Sequence, residues 1–340
     1  MIAAVKVSEL GEFGLIELVS KVVDANRDSK SAAWKQVLVG IGDDTAAWQG
    51  DGCVQLATTD SLVQGTHFDL KYMHWEDLGW KAIAVNLSDI AAMGGVPKYA
   101  MVSLALPGEL DANCVVRLYQ GMVEVASRFD VAIVGGNIAS ADKVNITVSL
   151  IGSLKGKTPL LRSAALPGDL VAVTGYTGLA AAGLQMLKHK LKLDPKSSEL
   201  LSEAHLKPVP RVKEGQNLLR LGVKAAIDIS DGLIADLTHV CKASKVSATI
   251  NKDLVPVHNI LETHFPDDCE RLALAGGEDY ELLFTASNTV MEKVKRSVSC
   301  PVTVIGEITE GTPGKVKIVD NAGRTPDWQK KGWEHFKSER

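Results

Sequence analysis

Asp77-Leu-Gly-Trp-Lys-Ala-Ile-Ala-Val-Asn-Leu-Ser-Asp-Ile-Ala-Ala-Met93 reads as a helix with almost no polar face. Ile83, Leu87 and Ile90 form an i, i+4, i+7 stripe, and Ala82, Ala84, Val85, Ala91 and Ala92 fill most of the remaining circumference. Apolar residues all round mark a helix buried between layers rather than one lying on a surface. Asn86 and Asp89 sit one turn apart within it. A carboxylate so nearly buried is costly unless it is paired or bound to a metal. Asp89 is therefore a candidate ligand, with a salt bridge to Lys81 or Lys98 as the structural alternative.

Outward from this helix, short β-branched runs alternate with Ala/Leu-rich segments, the pattern of an α/β or α+β chain. Strands are expected at Val37–Ile41, Val54–Thr58, Met101–Leu106, Val131–Val134 and Val144–Leu150, with a further helix at Ala112–Ser127. The second half has expected strands at Leu170–Thr174, Ala225–Ile229, Ala248–Ile250, Glu281–Thr285 and Val302–Ile305. Its expected helices are Leu179–His189, Leu233–Ala243 and Val290–Val298. At 340 residues the chain exceeds what one core usually supports, so two domains are expected. Lys155–Gly168, with its prolines, glycines and basic residues, is the natural junction, giving domains 1–154 and 155–340.

A net charge of −4 offers little to a polyanion, so nucleic acid is not an expected partner. The five cysteines are scattered and form no C-x-x-C pair, which fits a reducing compartment. Neither a leader pattern nor an apolar run of roughly 20 residues is present, and a cytoplasmic protein without a membrane partner is expected.

Carboxylates gather at the ends of apolar runs: Gly42-Asp43-Asp44, Thr58-Thr59-Asp60, and Asp228-Ile229-Ser230-Asp231-Gly232. Two unit charges ~4 Å apart repel by about 4 kcal/mol at an effective dielectric near 20, so a convergence of such groups calls for a cation. Mg²⁺ takes hard oxygens from a few carboxylates and completes its shell with water and phosphate. Each Asp could alternatively serve as a turn residue or helix cap, Asp231 most readily. Gly276-Gly-Glu-Asp-Tyr-Glu281 repeats the pattern of glycine and acid before an apolar strand. His67, in Gly65-Thr-His-Phe68, follows Asp60 closely enough to face the same site. Gly152–Thr158 is one residue short of a P-loop, and Thr174-Gly-Tyr-Thr-Gly178 fits a tight strand-to-helix turn better than a dinucleotide fingerprint. Neither H-E-x-x-H nor G-x-S-x-G occurs.

The ordered set Gly11-Glu-Phe-Gly14, Gly40-Ile-Gly-Asp-Asp44, Thr58-Thr-Asp-Ser-Leu-Val63, Gly65–Phe68, Asn86-Leu-Ser-Asp-Ile-Ala-Ala-Met-Gly94, Asp228-Ile-Ser-Asp-Gly-Leu233 and Gly276–Glu281 resembles the thiamine-monophosphate kinase family. That family is similar in fold to the aminoimidazole ribonucleotide synthetase-like superfamily. The resemblance implies a two-domain α/β (α+β) fold whose N-terminal mixed sheet, flanked by helices, forms a homodimer, with ATP in the cleft between domains. It implies ATP-dependent conversion of thiamine monophosphate to thiamine diphosphate, the last step of that cofactor's biosynthesis, by metal-assisted in-line transfer with no catalytic side chain. Several Mg²⁺ ions would be held by Asp44, Thr58, Thr59, Asp60, Asp89, Asn137, Asp228 and Asp231. Tyr119, Gly136, Asn137, Arg162 and Ser230 match positions that bind ATP; His67, Glu278 and Trp333 match those that bind thiamine monophosphate. One departure stands out: Gly135-Gly-Asn-Ile138 replaces the family's Gly-Gly-Asp-Thr, so one ligand lacks its charge. A non-catalytic or weakly active binding homologue, or another ATP-using member such as aminoimidazole ribonucleotide synthetase, is the alternative.

Overall fold

A computed structural model describes residues 14, 16–17, 35–50, 52–154 and 158–325. Gly11–Phe13 and Trp333 lie outside the described residues, as do positions 155–157 of the P-loop-like stretch.

The first sheet joins β1 (Val37–Val39), β2 (Ala46–Gln49), β3 (Val54–Val63), β4 (Val96–Leu106), β5 (Ala132–Ser140) and β6 (Asn145–Leu154) in the order β1-β2-β3-β6-β4-β5. All its pairings are antiparallel except β4 with β5. Side chains alternate along the long strands. Ala100, Val102 and Leu104 are buried beside Ile146, Val148 and Leu150, while Tyr99 and Met101 on the other face stand open. The buried face is covered by α1 (Trp75–Ala92) and α2 (Ala112–Arg128). These two helices pack closely because each has a glycine at the crossing. A Cβ on Gly79 would lie 1.9 Å from the Leu118 carbonyl oxygen, and one on Gly121 would lie 1.8 Å from that of Glu76.

The second sheet takes its strands from β7 (Leu170–Thr174), β8 (Ala225–Asp228), β9 (Ser247–Asn251), β10 (Leu282–Ala286), β11 (Val302–Thr309) and β12 (Val316–Val319). Their order is β12-β9-β11-β7-β10-β8, with β12 parallel to β9 and the rest antiparallel. Around it lie α3 (Leu179–His189), α4 (Pro195–Leu206), α5 (Val212–Leu221), α6 (Leu233–Ala243), α7 (Asn259–His264), α8 (Cys269–Ala275) and α9 (Asn288–Ser297). One face, with Val171, Val173, Ile227 and Leu283, packs under α6. The other face, through Ala172, Leu282 and Phe284, joins a core that continues through α1 to the first sheet. Consequently α1 is buried from both sides, as its composition demanded: only Glu76, Asp77 and Asp89 of its 18 residues escape full burial.

Local reading erred at several edges. β3 runs on to Val63, so Thr58, Thr59 and Asp60 lie within a strand rather than where one stops; Asp60 pairs with Val148 of β6. A ten-residue ladder against β6 carries the polar run through, although Asp is a poor strand former. β2, α4, α5, α7, α8 and β12 had no expected counterpart. β2 and β12 are four-residue strands, too short for a period-2 signal, and α4 (PKSSELLSEAHL) is weakly apolar.

Candidate active site

Asp44 lies in the turn between β1 and β2, Asp89 projects from near the C-terminal end of α1, and Asp228 ends β8. These three are 184 residues apart at the extremes, yet one carboxylate oxygen from each falls within 4.8 Å of the other two. Two come from the first domain and one from the second, so the cluster lies where the domains meet. Thr58 Oγ1 donates to Asp89 Oδ2 at 2.5 Å. The neighbouring Ser88 hydroxyl donates to Asp228 Oδ2 at 2.6 Å, tying α1 to the second sheet.

The electrostatics are those of an under-neutralised site. Burial, followed by the charges of Asp60, Asp228 and Asp44, raises the Asp89 carboxyl well above its ordinary range. Burial and then Asp44 do the same to Asp228. Asp43, beside them, is pushed to about 7 by burial and Asp44. Arg162 faces this group, with Nη2 2.6 Å from Asp44 Oδ1, Nε 3.1 Å from Asp44 Oδ2, and its backbone N–H bonded to Asp43 Oδ2 at 3.1 Å. Burial disfavours its charge, but Asp44 outweighs that and holds the guanidinium protonated. One guanidinium against this many acids leaves negative charge over. The donors are hard oxygens only, the set Mg²⁺ prefers, so the residues present fit that ion.

The Asp228–Gly232 loop has a support that the sequence did not announce. Asp236 Oδ2 accepts N–H bonds from Ser230 (3.1 Å), Asp231 (3.2 Å) and Gly232 (3.1 Å). Asp236 is buried in the first turn of α6 and reaches back over the loop, doing what a cap residue does from inside the helix. The helix-capping alternative for Asp231 is thereby superseded: Gly232 holds the N-cap position without a side-chain bond. An acid four residues past the Gly of Asp-Ile-Ser-Asp-Gly was the available signal.

The Gly276–Glu281 loop is stitched to the same place. Glu278 N bonds Ser230 O at 2.8 Å, Tyr280 N bonds Ile229 O at 2.9 Å, and Ile229 N bonds Glu281 O at 2.8 Å. A Cβ on Gly277 would sit 2.4 Å from the Ser230 carbonyl, so only glycine permits this approach. Here the carboxylates have partners of their own. Glu278 pairs with Lys81 at 2.7 Å, and Glu281 accepts from Arg211 Nε at 2.6 Å and from Thr174 Oγ1 at 2.6 Å. Lys81 is therefore the partner of Glu278, and not of Asp89. Asp279 caps the tight turn before α3 through Gly178 N (2.7 Å) and Ala180 N (3.2 Å), and burial pushes it to about 8.

The other expected residues are spread over the first sheet, its loops and α2. Thr59 turns to the opposite face of β3, donating to Val148 O at 3.1 Å. Asn137 is exposed on the edge strand β5, opposite Ser103, which is in line with Thr147 and Ser61. That is three strand spacings, about 14 Å, on the open face. His67 is half-buried, its Nδ1 accepting from Val63 N at 3.0 Å. Tyr119 is half-buried on α2, and Gly136 lies beside Asn137 on β5.

Two family models match the chain: AIR synthase related protein, N-terminal domain, over residues 42–154, and its C-terminal domain over 167–319. Thiamine-monophosphate kinase of Bacillus subtilis is 39% identical over 309 residues, covering 88% of this chain and 94% of its own length. The chain belongs to the thiamine-monophosphate kinase family. The Escherichia coli K12 member is 38% identical, with 96% and 98% covered. A solved structure described as AaThiL complexed with AMPPCP and TMP superposes with a TM-score of 0.84 at 35% identity, over 98% of this chain and 99% of that one. The two AIR synthase-type domains, each a mixed sheet flanked by helices, are the fold that the resemblance implied.

Proposed function

We propose that the interdomain carboxylate cluster is where the γ-phosphoryl group of ATP passes in line to the phosphate of thiamine monophosphate, giving thiamine diphosphate and ADP. Membership of the family makes the chain an ATP-dependent thiamine-phosphate kinase. The observation that carries the proposed location is the meeting of Asp44, Asp89 and Asp228 across the domain boundary with Arg162 as the one guanidinium bonded to them among the described residues. These three, with Thr58, Asp60 and Asp231, are the proposed holders of Mg²⁺ in the cluster, and Thr59 and Asn137, on the open face of the sheet, are proposed to serve a separate one of the several ions expected. Bound there, Mg²⁺ supplies charge neutralisation and alignment for the phosphates.

The chain's own contribution is placement. Thr58 and Ser88 fix the oxygens of Asp89 and Asp228, Asp236 fixes the loop that carries Asp228 and Asp231, and Arg162 holds Asp44. The acceptor phosphate is ionised near neutral pH, so no side chain has to remove a proton from it. Tyr119, Gly136, Asn137, Arg162 and Ser230 are proposed to meet the nucleotide, and His67, Glu278 and Trp333 the thiamine monophosphate. Residues 1–154 and 155–340 are proposed as the two domains that close on them. The open face of the first sheet, where Tyr99, Met101 and Val134 are 42–58% exposed, is the proposed homodimer surface. Among the described residues no helix is long and apolar enough to cross a membrane. A cytoplasmic setting and the absence of a nucleic-acid partner belong to the same proposal.

ADP release that requires both thiamine monophosphate and Mg²⁺ tests the function. Nucleotide binding without turnover under those conditions would leave a binding protein instead.

A further inference from the structure

We propose that Lys81 is a positioning residue for substrate recognition: its buried ammonium, on a helix of the first domain, fixes the Glu278 carboxylate of the second. This rests on the reading of Glu278 as a thiamine-monophosphate contact given above.

Lys81 is 0% exposed in the middle of α1, whereas the Glu278 side chain is 29% exposed. Nζ lies 2.7 Å from Glu278 Oε1 and 3.1 Å from the backbone oxygen of His205 on α4, so two of its three donors are directed. The ammonium has no route to solvent and the carboxylate has one. An ion pair kept for stability alone gains little from that arrangement, because apolar residues of similar volume fill a core at least as well. A carboxylate held from behind and open in front is built to meet something.

The backbone agrees. Glu278 has φ +68° and Tyr280 has φ +50°, both in the left-handed region that side chains disfavour, and this strain sits on the loop bonded to Ser230. The His205 ring is the second neighbour of the carboxylate, behind Lys81. Its Nδ1 is 3.3 Å from Glu278 Oε2, and burial, followed by the Lys81 charge, lowers its pKa. Burial would raise Glu278, but Lys81, followed by His205, brings it down to about 2. Tyr280 N donates to Ile229 O at 2.9 Å and Glu278 N to Ser230 O at 2.8 Å, which ties this loop to the residues directly after Asp228.

The test is a double-mutant cycle of Lys81→Met and Glu278→Gln, reading KM for each substrate, kcat, and calorimetric binding of thiamine monophosphate. Each single variant is expected to raise KM for thiamine monophosphate about 10²-fold and weaken its binding in parallel, with KM for ATP little changed. The double variant is expected to match Glu278→Gln alone, because Lys81 acts through Glu278. Effects that multiply, or a fall in kcat with KM unmoved, would overturn the role. If Lys81→Met leaves Glu278 buried unpaired and fails to fold, the comparison of the double variant with Glu278→Gln still decides. A double variant that is itself unfolded makes Lys81 structural and ends the proposal. Wild-type protein that neither binds thiamine monophosphate nor releases ADP would instead remove the functional reading on which this rests.

Discussion

Two acidic regions face the same cleft, and they solve the problem of charge in opposite ways. Around Asp44, Asp89 and Asp228 the acids oppose one another, Arg162 is their cationic partner, and the pKa values of Asp89, Asp228 and Asp43 are raised. In the Glu278–Glu281 loop, Glu278 and Glu281 each have a cation, Lys81 or Arg211, Asp279 is held by the backbone N–H groups of Gly178 and Ala180, and Glu278 is held at about 2. The second region is complete as folded. The first waits for positive charge from outside, which is what a site for a divalent ion and polyphosphate requires.

Substitutions should separate the two. The largest effect is expected for Asp89→Ala, which removes a ligand from the open cluster: turnover should fall about 10³-fold or more while circular dichroism and melting stay native-like. An active Asp89→Ala enzyme would break the contrast. In the closed region, Arg211→Met leaves Glu281 buried without its partner and should cost about 3 kcal/mol of stability by denaturant unfolding, with or without Mg²⁺. A neutral result there would mean that Glu281 is solvated in some other way.

pH should act on Asp43 and on Glu278 with opposite sign. Asp43 is about 7 when folded and about 3.9 when unfolded, so the folded state holds the extra proton between these values. Its contribution is therefore full below pH ~3.9 and lost as pH rises through about 7. Glu278, at about 2 against an unfolded value of ~4.3, contributes above pH ~4.3 and loses that contribution as pH falls through about 2. In metal-free protein, Asp43→Asn should flatten the decline in stability between pH 4 and 7, and Glu278→Gln should flatten the loss on the acid side. A decline between pH 4 and 7 that survives Asp43→Asn unchanged would sink the assignment.

The smallest effect is expected at Asn137. Restoring a charge about 14 Å across the open face from Ser61 of β3, on an exposed strand, is worth about 0.3 kcal/mol in water. Asn137→Asp should thus shift Mg²⁺ half-saturation by less than about threefold with kcat unchanged. A tenfold gain would place that residue at the centre of the site.

The open cluster was largely legible in the sequence, and the closed one was not. Asp89 betrayed itself as a carboxylate on a helix without a polar face, and Asp228 as one ending an apolar run. Such anomalies are local, so a single chain exposes them. Lys81 pairs with a residue 197 positions away, and Arg211 with one 70 away, through contacts that no periodicity encodes. Asp236 hid inside an ordinary helical pattern, and Thr58–Asp60 looked like a strand end because threonine and aspartate there read as turn chemistry. The sheets themselves were visible as short β-branched runs. Their order was not, since it depends on pairing between strands far apart in the sequence of each domain.

The central claim is that the three converging aspartates tolerate one another only with a divalent cation among them. Thermal melting at pH 7 of wild type and Asp89→Asn, each with and without Mg²⁺ and a non-hydrolysable ATP analogue, tests it most directly. Wild type should gain several degrees on adding both, while Asp89→Asn should start higher without metal, because a repulsion is gone, and gain little. A wild type that melts at the same temperature in every condition, and no lower than Asp89→Asn, would contradict the account.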